Sequence, residues 1–169
     1  MATLTTNTNF LSPVEFQLTL KRLPNVEFFI KSANIPGYNS QSTELGTPFK
    51  IINEPSDRII YDDFTVTVIC DEDMTAFREV SDWLVALTFP DSFEQYATLG
   101  QEPKANGNTR KSDATLTVLN SNKNPNIRVN FEDMFPLSIS GIQLSTAETD
   151  LTPPTFDITF KYAKYTIEV

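Results

Sequence analysis

Apolar and polar residues alternate along much of the chain, with the period of strands half-buried in a sheet. Val14, Phe16, Leu18 and Leu20 share one face, with Glu15, Gln17 and Thr19 between them, and this spacing predicts a strand. Pro24-Asn25 predicts a turn before Val26 to Ile30, so the two segments read as a hairpin. After Ile35-Pro36-Gly37, residues 38–56 carry Gly46, Pro48 and Pro55 among polar side chains. That composition reads as a long irregular excursion with a short strand at Phe49 to Ile52. Excursions of this length are uncommon in compact domains unless they are functional, so this one is expected to reach outside the domain.

The clearest strand runs from Ile59 to Cys70, where Phe64, Val66, Val68 and Cys70 alternate with Thr65, Thr67 and Ile69. Branched and aromatic side chains suit the pleated surface. Asp71-Glu72-Asp73 then offers carboxylates to the start of one amphipathic helix, with Phe77, Val80, Trp83, Leu84 and Leu87 on its apolar face and Pro90 as its stop. Residues 100–112 read as a surface loop. Ala114 to Leu119 and Ile127 to Phe131 form a second hairpin across Asn120 to Asn126. Phe135-Pro136-Leu137 opens another extended piece through Ile139, Ile142 and Leu144, and a polar turn from Ser145 to Pro154 follows. In the closing strand Phe156, Ile158, Phe160 and Tyr162 alternate with Asp157, Thr159 and Lys161. The expected fold is mainly β: an antiparallel sandwich or barrel with one flanking α-helix, in a single domain over 1–169 whose residues 1–12 form a polar arm.

Composition narrows the chemistry. With 40% apolar residues and 13 Phe in 169 positions, the chain can build one core. No apolar run approaches the roughly 20 residues of a membrane span. Met1 to Phe10 lacks the basic and apolar regions of a secretion signal, so the chain is expected to stay where it is made. The single Cys70 excludes an intrachain disulfide and a thiolate metal cluster, and the absence of His removes the usual proton shuttle and commonest zinc ligand. A net charge of −9 argues against tight binding to a phosphate backbone, yet suits a protein that must let DNA pass without sticking.

The carboxylate groups each have a plain reading. Asp71, Glu72 and Asp73 are hard oxygen ligands, but the calcium-loop pattern with its glycine is missing and a helix start accounts for them. Asp62 and Asp63 are strand neighbours pointing to opposite faces, not the facing pair of acid–base catalysis. Cys70 has no His to act as its base and reads as a buried structural thiol. Phosphate-binding glycine loops and nucleophile elbows are absent. An enzyme is not expected, and neither cofactor nor metal. Charge is uneven, however. Six carboxylates against Arg78 lie between Tyr61 and Glu79, five against no base between Asn130 and Asp157, and five bases against Asp113 between Lys104 and Arg128. Unlike surfaces of this kind can meet head to tail between copies of one chain.

Asp57-Arg58, the run Asp62-Asp63-Phe64-Thr65-Val66-Thr67-Val68, Asp71-Glu72, Arg78 and Trp83 together resemble the tail tube proteins of contractile-tailed, T-even-like bacteriophages. Phe135-Pro136, Ile142-Gln143-Leu144 and the closing run from Phe156 to Tyr162 extend the resemblance, which covers roughly residues 57–88 and 129–167. Phe64 departs from the family, where an indole is common, and residues 90–112 have no clear counterpart. The resemblance implies a structural virion protein: six copies per ring, sheets joined into a continuous inner barrel, and rings stacked into a tube inside a contractile sheath. It also implies the sheath, a baseplate tube-initiator and a tail terminator as partners, DNA in transit through the lumen, no membrane partner, and assembly in the bacterial host cytoplasm. On this reading the segment Gln41, Ser42, Thr43, Glu44, Leu45, Gly46 and Thr47 contacts neighbouring subunits, and Asp62, Asp157 and Glu15 are the expected acidic lining of the lumen. A tube-initiator, or the tube of a phage-derived secretion or bacteriocin particle, shares these features. A soluble β-sandwich binding module using Tyr38, Tyr96 or Trp83 is the alternative from another class.

Overall fold

The computed structural model describes residues 10–97, 99, 110–145 and 152–168. The elements, in chain order, are β1 (Phe16–Leu20), α1 (Pro24–Phe28), β2 (Ile30–Ala33), β3 (Tyr38–Gly46), β4 (Ile51–Tyr61), β5 (Phe64–Ile69), α2 (Thr75–Thr88), α3 (Phe93–Ala97), β6 (Ser112–Leu119), β7 (Pro125–Ile139), β8 (Thr155–Lys161) and β9 (Lys164–Glu168). Every strand pairing is antiparallel. Two sheets share β7. One runs β1-β6-β7-β9 and the other β2-β5-β8-β7, while β3 and β4 stand apart as a two-stranded sheet.

The sharing is possible because β7 bends at a bulge. Ala114 lies opposite Phe131 but Ser112 opposite Met134, so β7 carries one extra residue there. Asp133 takes it up with a left-handed φ of 58°. Its N–H donates to Asp113 Oδ1 at 3.3 Å and its carboxylate meets Lys111 at 3.5 Å, which holds the bend. The inward faces of both sheets then close on one core. Leu18, Leu20, Leu116, Val129 and Phe131 from the first sheet pack with Phe64, Val66, Val68, Phe156, Ile158 and Phe160 from the second. Phe64 stacks on Phe131 at 4.4 Å between centroids, joining the layers.

Helix α2 closes one side. Asp71 accepts from the N–H groups of Thr75 (2.9 Å) and Ala76 (3.3 Å), two of the donors a helix start leaves unpaired. Burial pulls its carboxyl up, but these bonds and the Thr75 hydroxyl outweigh that and hold it below the usual range. Ala76, Val80, Trp83 and Ala86 face the core, and Phe77 meets Phe156 edge-on at 5.3 Å. No described helix is long and apolar enough to cross a membrane.

Several sequence expectations change. The hairpin predicted through Pro24-Asn25 does not form. Pro24 instead starts α1, with Val26 buried, and β1 pairs with β6 while β2 pairs with β5. The strand predicted from Ile59 to Cys70 is broken at Asp62-Asp63, and the excursion over 38–56 is a hairpin whose register shifts between Ser40 and Ser42 and whose second strand runs on to Tyr61. Phe49 lies before that strand rather than in it. Ile127 to Phe131 and Phe135 to Ile139 belong to one strand, and the extension to Leu144 is not strand. Two short helices and β9 join the elements expected. Cys70 is half-buried, not buried. The loop predicted at 100–112 and the turn at 145–154 lie largely outside the described residues.

Candidate assembly surface

The β3–β4 hairpin is the most conspicuous surface. Every residue of β3 is exposed, and in β4 only Ile52, Ser56 and Tyr61 are even half-buried. Leu45, Ile51 and Ile59 are each more than half exposed, and Phe49 is 97% exposed. A two-stranded ribbon is marginal in water by itself, so this one depends on its ends and on what covers it. Its tip is ordered by Thr47, whose hydroxyl donates to the carbonyl of Lys50 at 2.6 Å and whose N–H donates to the same carbonyl at 3.0 Å. That closed turn holds Phe49 outward.

The root is clamped by tyrosines. Tyr162 donates to the carbonyl of Asp62 at 2.8 Å, just after β4, and Tyr165 donates to the carbonyl of Pro36 at 3.0 Å, just before β3. Asp62 N–H donates to the Gly37 carbonyl at 3.0 Å, and a Cβ at Gly37 would lie 2.9 Å from Asp62 Oδ2, so glycine admits the close approach. Tyr38, Tyr61, Tyr162, Tyr165 and Phe131 form one ring cluster, with neighbouring centroids 5.2–6.2 Å apart. Burial, and then the neighbouring Tyr165 and Asp62, push the Tyr162 hydroxyl up to about 12. Tyr165 is raised for the same first reason. Both therefore remain donors far above neutral pH.

The sheets add open edges. Among the described residues, each of β1, β2 and β9 has one strand partner and one unpaired edge. Such edges are templates for another chain.

The acidic residues expected together are placed apart. Asp157 is exposed on the outer face of β8, where Thr67 donates to its Oδ1 at 2.7 Å. Asp62 sits at the hairpin root, with Asn39 donating to its Oδ1 at 3.4 Å. Glu15 precedes β1 in the other sheet and buries Oε2 without a hydrogen-bond partner among the described residues. Asp63 instead pairs with Lys161. The segment from Gln41 to Thr47 forms most of β3 and the turn beyond it. The tyrosine clamp was missed in the sequence. Tyr162 and Tyr165, three apart after a strict alternation, were its only signal.

No group of three metal-ligating side chains occurs among the described residues. Burial first and Asp71 second raise the Cys70 thiol, opposite to what a nucleophile needs. Trp83 is 3% exposed beneath the Arg22 guanidinium and is no open stacking platform, whereas Tyr96, against Phe89 and Arg110, and Tyr38 stay exposed.

Residues 4–168 match the family model described as phage tail tube protein. The chain belongs to that family. Among solved structures it is similar to the sheath/tube terminator of an extracellular contractile injection system, PVC, with a TM-score of 0.65 and 14% identity over 96% of this chain and 100% of that one. It is likewise similar to the tube-terminating cap of the anti-feeding prophage, with a TM-score of 0.62 and 13% identity over 97% and 94%. The sheath–tube complex of PVC gives a TM-score of 0.58 and 11% identity over 95% and 93%. At these identities the likeness establishes the fold. No curated protein matches.

Proposed function

We propose that this tail tube family member is the repeating subunit of a hollow tail tube. Its hexameric rings stack inside a contractile sheath and conduct DNA at ejection. The observation that carries the reading is the clamped hairpin, a two-stranded ribbon whose apolar side chains stay exposed among the described residues. Contacts from neighbouring copies supply the missing cover, and the open edges of β1, β2 and β9 join subunit to subunit. Of the acidic residues considered for the lumen, Asp157 suits it best. It stands among Thr65, Thr67 and Thr159 on an outer sheet face where Lys161 is paired with Asp63. Carboxylates on such a wall repel a phosphate backbone over about 8 Å at physiological salt. The role is structural, with the baseplate and sheath as further partners.

Deleting Gln41 to Thr47 tests the reading. The variant is expected to keep the circular dichroism of the folded domain and to form no tubes in negative-stain images; normal tubes from it would refute the hairpin's role. The likeness to a terminator and a cap supports a second reading, an end ring that forms hexamers but does not stack. Images of the purified wild-type chain separate the two, as single rings or as tubes.

A further inference from the structure

Helices α1, α2 and α3 leave a cleft of about 560 Å³, a volume within the range that ordinarily accepts a ligand or an anchoring side chain. Leu23, Pro24 and Val85 give it an apolar wall, and Arg22 lies 4.9 Å over the Trp83 ring. Glu79 and Asp82 are its carboxylates. Trp83 Nε1 and Glu79 Oε2 are buried beneath this wall with no hydrogen-bond partner among the described residues, while Glu79 Oε1 accepts from Asn25 Nδ2 at 2.5 Å. Phe28 of α1 and Phe93 of α3, each 82% exposed, stand on the elements at either side.

We propose that this cleft receives the hairpin tip of a second copy of the chain, with Phe49 against the apolar wall and Lys50 against Asp82 and Glu79. The tip offers an aromatic side chain that is almost fully exposed, next to a cation, and the cleft offers an apolar wall beside the exposed carboxylate of Asp82. Its ordered turn presents both without the entropy cost of fixing a loose loop. Nine residues of β3, at about 3.3 Å each, carry the tip roughly 30 Å from the root, far enough to reach another molecule. Tip and cleft are different surfaces, so the contact is head to tail and repeats around a closed ring or along a stack. This inference rests on the proposed tube reading and supplies the hairpin's receptor.

The full-length chain tests it through a charge swap. Lys50→Glu and Asp82→Lys are each expected to slow tube growth about tenfold, as removal of a close interfacial charge pair does, and the double variant is expected to recover most of it. Circular dichroism of each variant checks that it folds. Zero-length carbodiimide coupling of mixed isotope-labelled and unlabelled wild-type chains is expected to join Lys50 to Asp82 or Glu79 between copies. Failure of the swap to rescue, together with Lys50 coupling elsewhere, would overturn the cleft as receptor while leaving the hairpin's role intact. Wild-type growth of Asp82→Lys, or its loss only when a second protein is added, would equally reject it. Failure of the tube reading itself would be seen in images of the wild-type chain, not here.

Discussion

The barrel and the hairpin are built from the same kind of residue and held in opposite ways. In the barrel, alternation sends apolar side chains to a shared interior, and Phe64, Val66 and Val68 reach complete burial. In the hairpin the alternating residues have no second layer to face. Leu45 lies opposite Ile52 in register, yet Leu45 is more than half exposed and Ile52 only half-buried. Strand pairing there has little burial to support it, whereas the two packed sheets bury one another's apolar faces. The difference teaches that the same apolar residue types stabilise a fold only where a second layer meets them, and that on the ribbon they are left for the proposed assembly contact.

The contrast breaks most visibly by mutation. Phe64→Ala removes a buried ring stacked between the two sheets and is expected to cost about 3–5 kcal/mol, read as a large loss in denaturant midpoint. Leu45→Ala on the ribbon is expected to change monomer stability by no more than about 0.5 kcal/mol, while assembly falls. Equal effects on the isolated chain would mean that the hairpin belongs to the barrel's cooperative unit.

The joint between the two regions is weaker. Tyr162→Phe removes the hydroxyl that holds the carbonyl of Asp62, and its expected cost is about 1 kcal/mol. Native-state hydrogen exchange should then quicken at the Asp62 amide with little change at Val66. If both amides quicken alike, the clamp stabilises the barrel and not the hairpin.

Alkali probes the same joint. Because the Tyr162 hydroxyl is raised from 10 to about 12 in the folded chain, the fold binds its proton more tightly than the unfolded chain does. Its contribution is therefore complete below pH 10 and lost as pH rises towards 12. Tyrosinate absorbance is expected to lag for this residue, and stability to fall over that window less steeply in Tyr162→Phe. The smallest effect is on α2. Asp71→Asn weakens the bonds to Thr75 and Ala76, so the thermal midpoint should drop slightly at neutral pH and the difference should vanish in acid, where the wild-type carboxyl is protonated.

By itself the sequence determined the parts whose cause is local. Strict alternation in β5 and β8 set their buried faces, and the spacing of Val80 and Trp83 after an acidic start set α2, because period and capping depend on near neighbours. The residues matching the tail tube family were also legible, since they are contiguous runs. What only the tertiary structure decided depends on residues far apart in the chain. Pro24-Asn25 served a helix rather than a turn because Val26 found a place in the core, and β1 then took β6 as its partner across nearly a hundred residues. Residues 38–56 looked irregular because Gly46, Pro48 and Pro55 interrupt the pattern. They form a ribbon because Tyr162 and Tyr165 fix its two ends. The places of Glu15, Asp62 and Asp157 in the fold were decided in the same way: a period of two tells which side of a strand a residue takes, but not which sheet the strand joins.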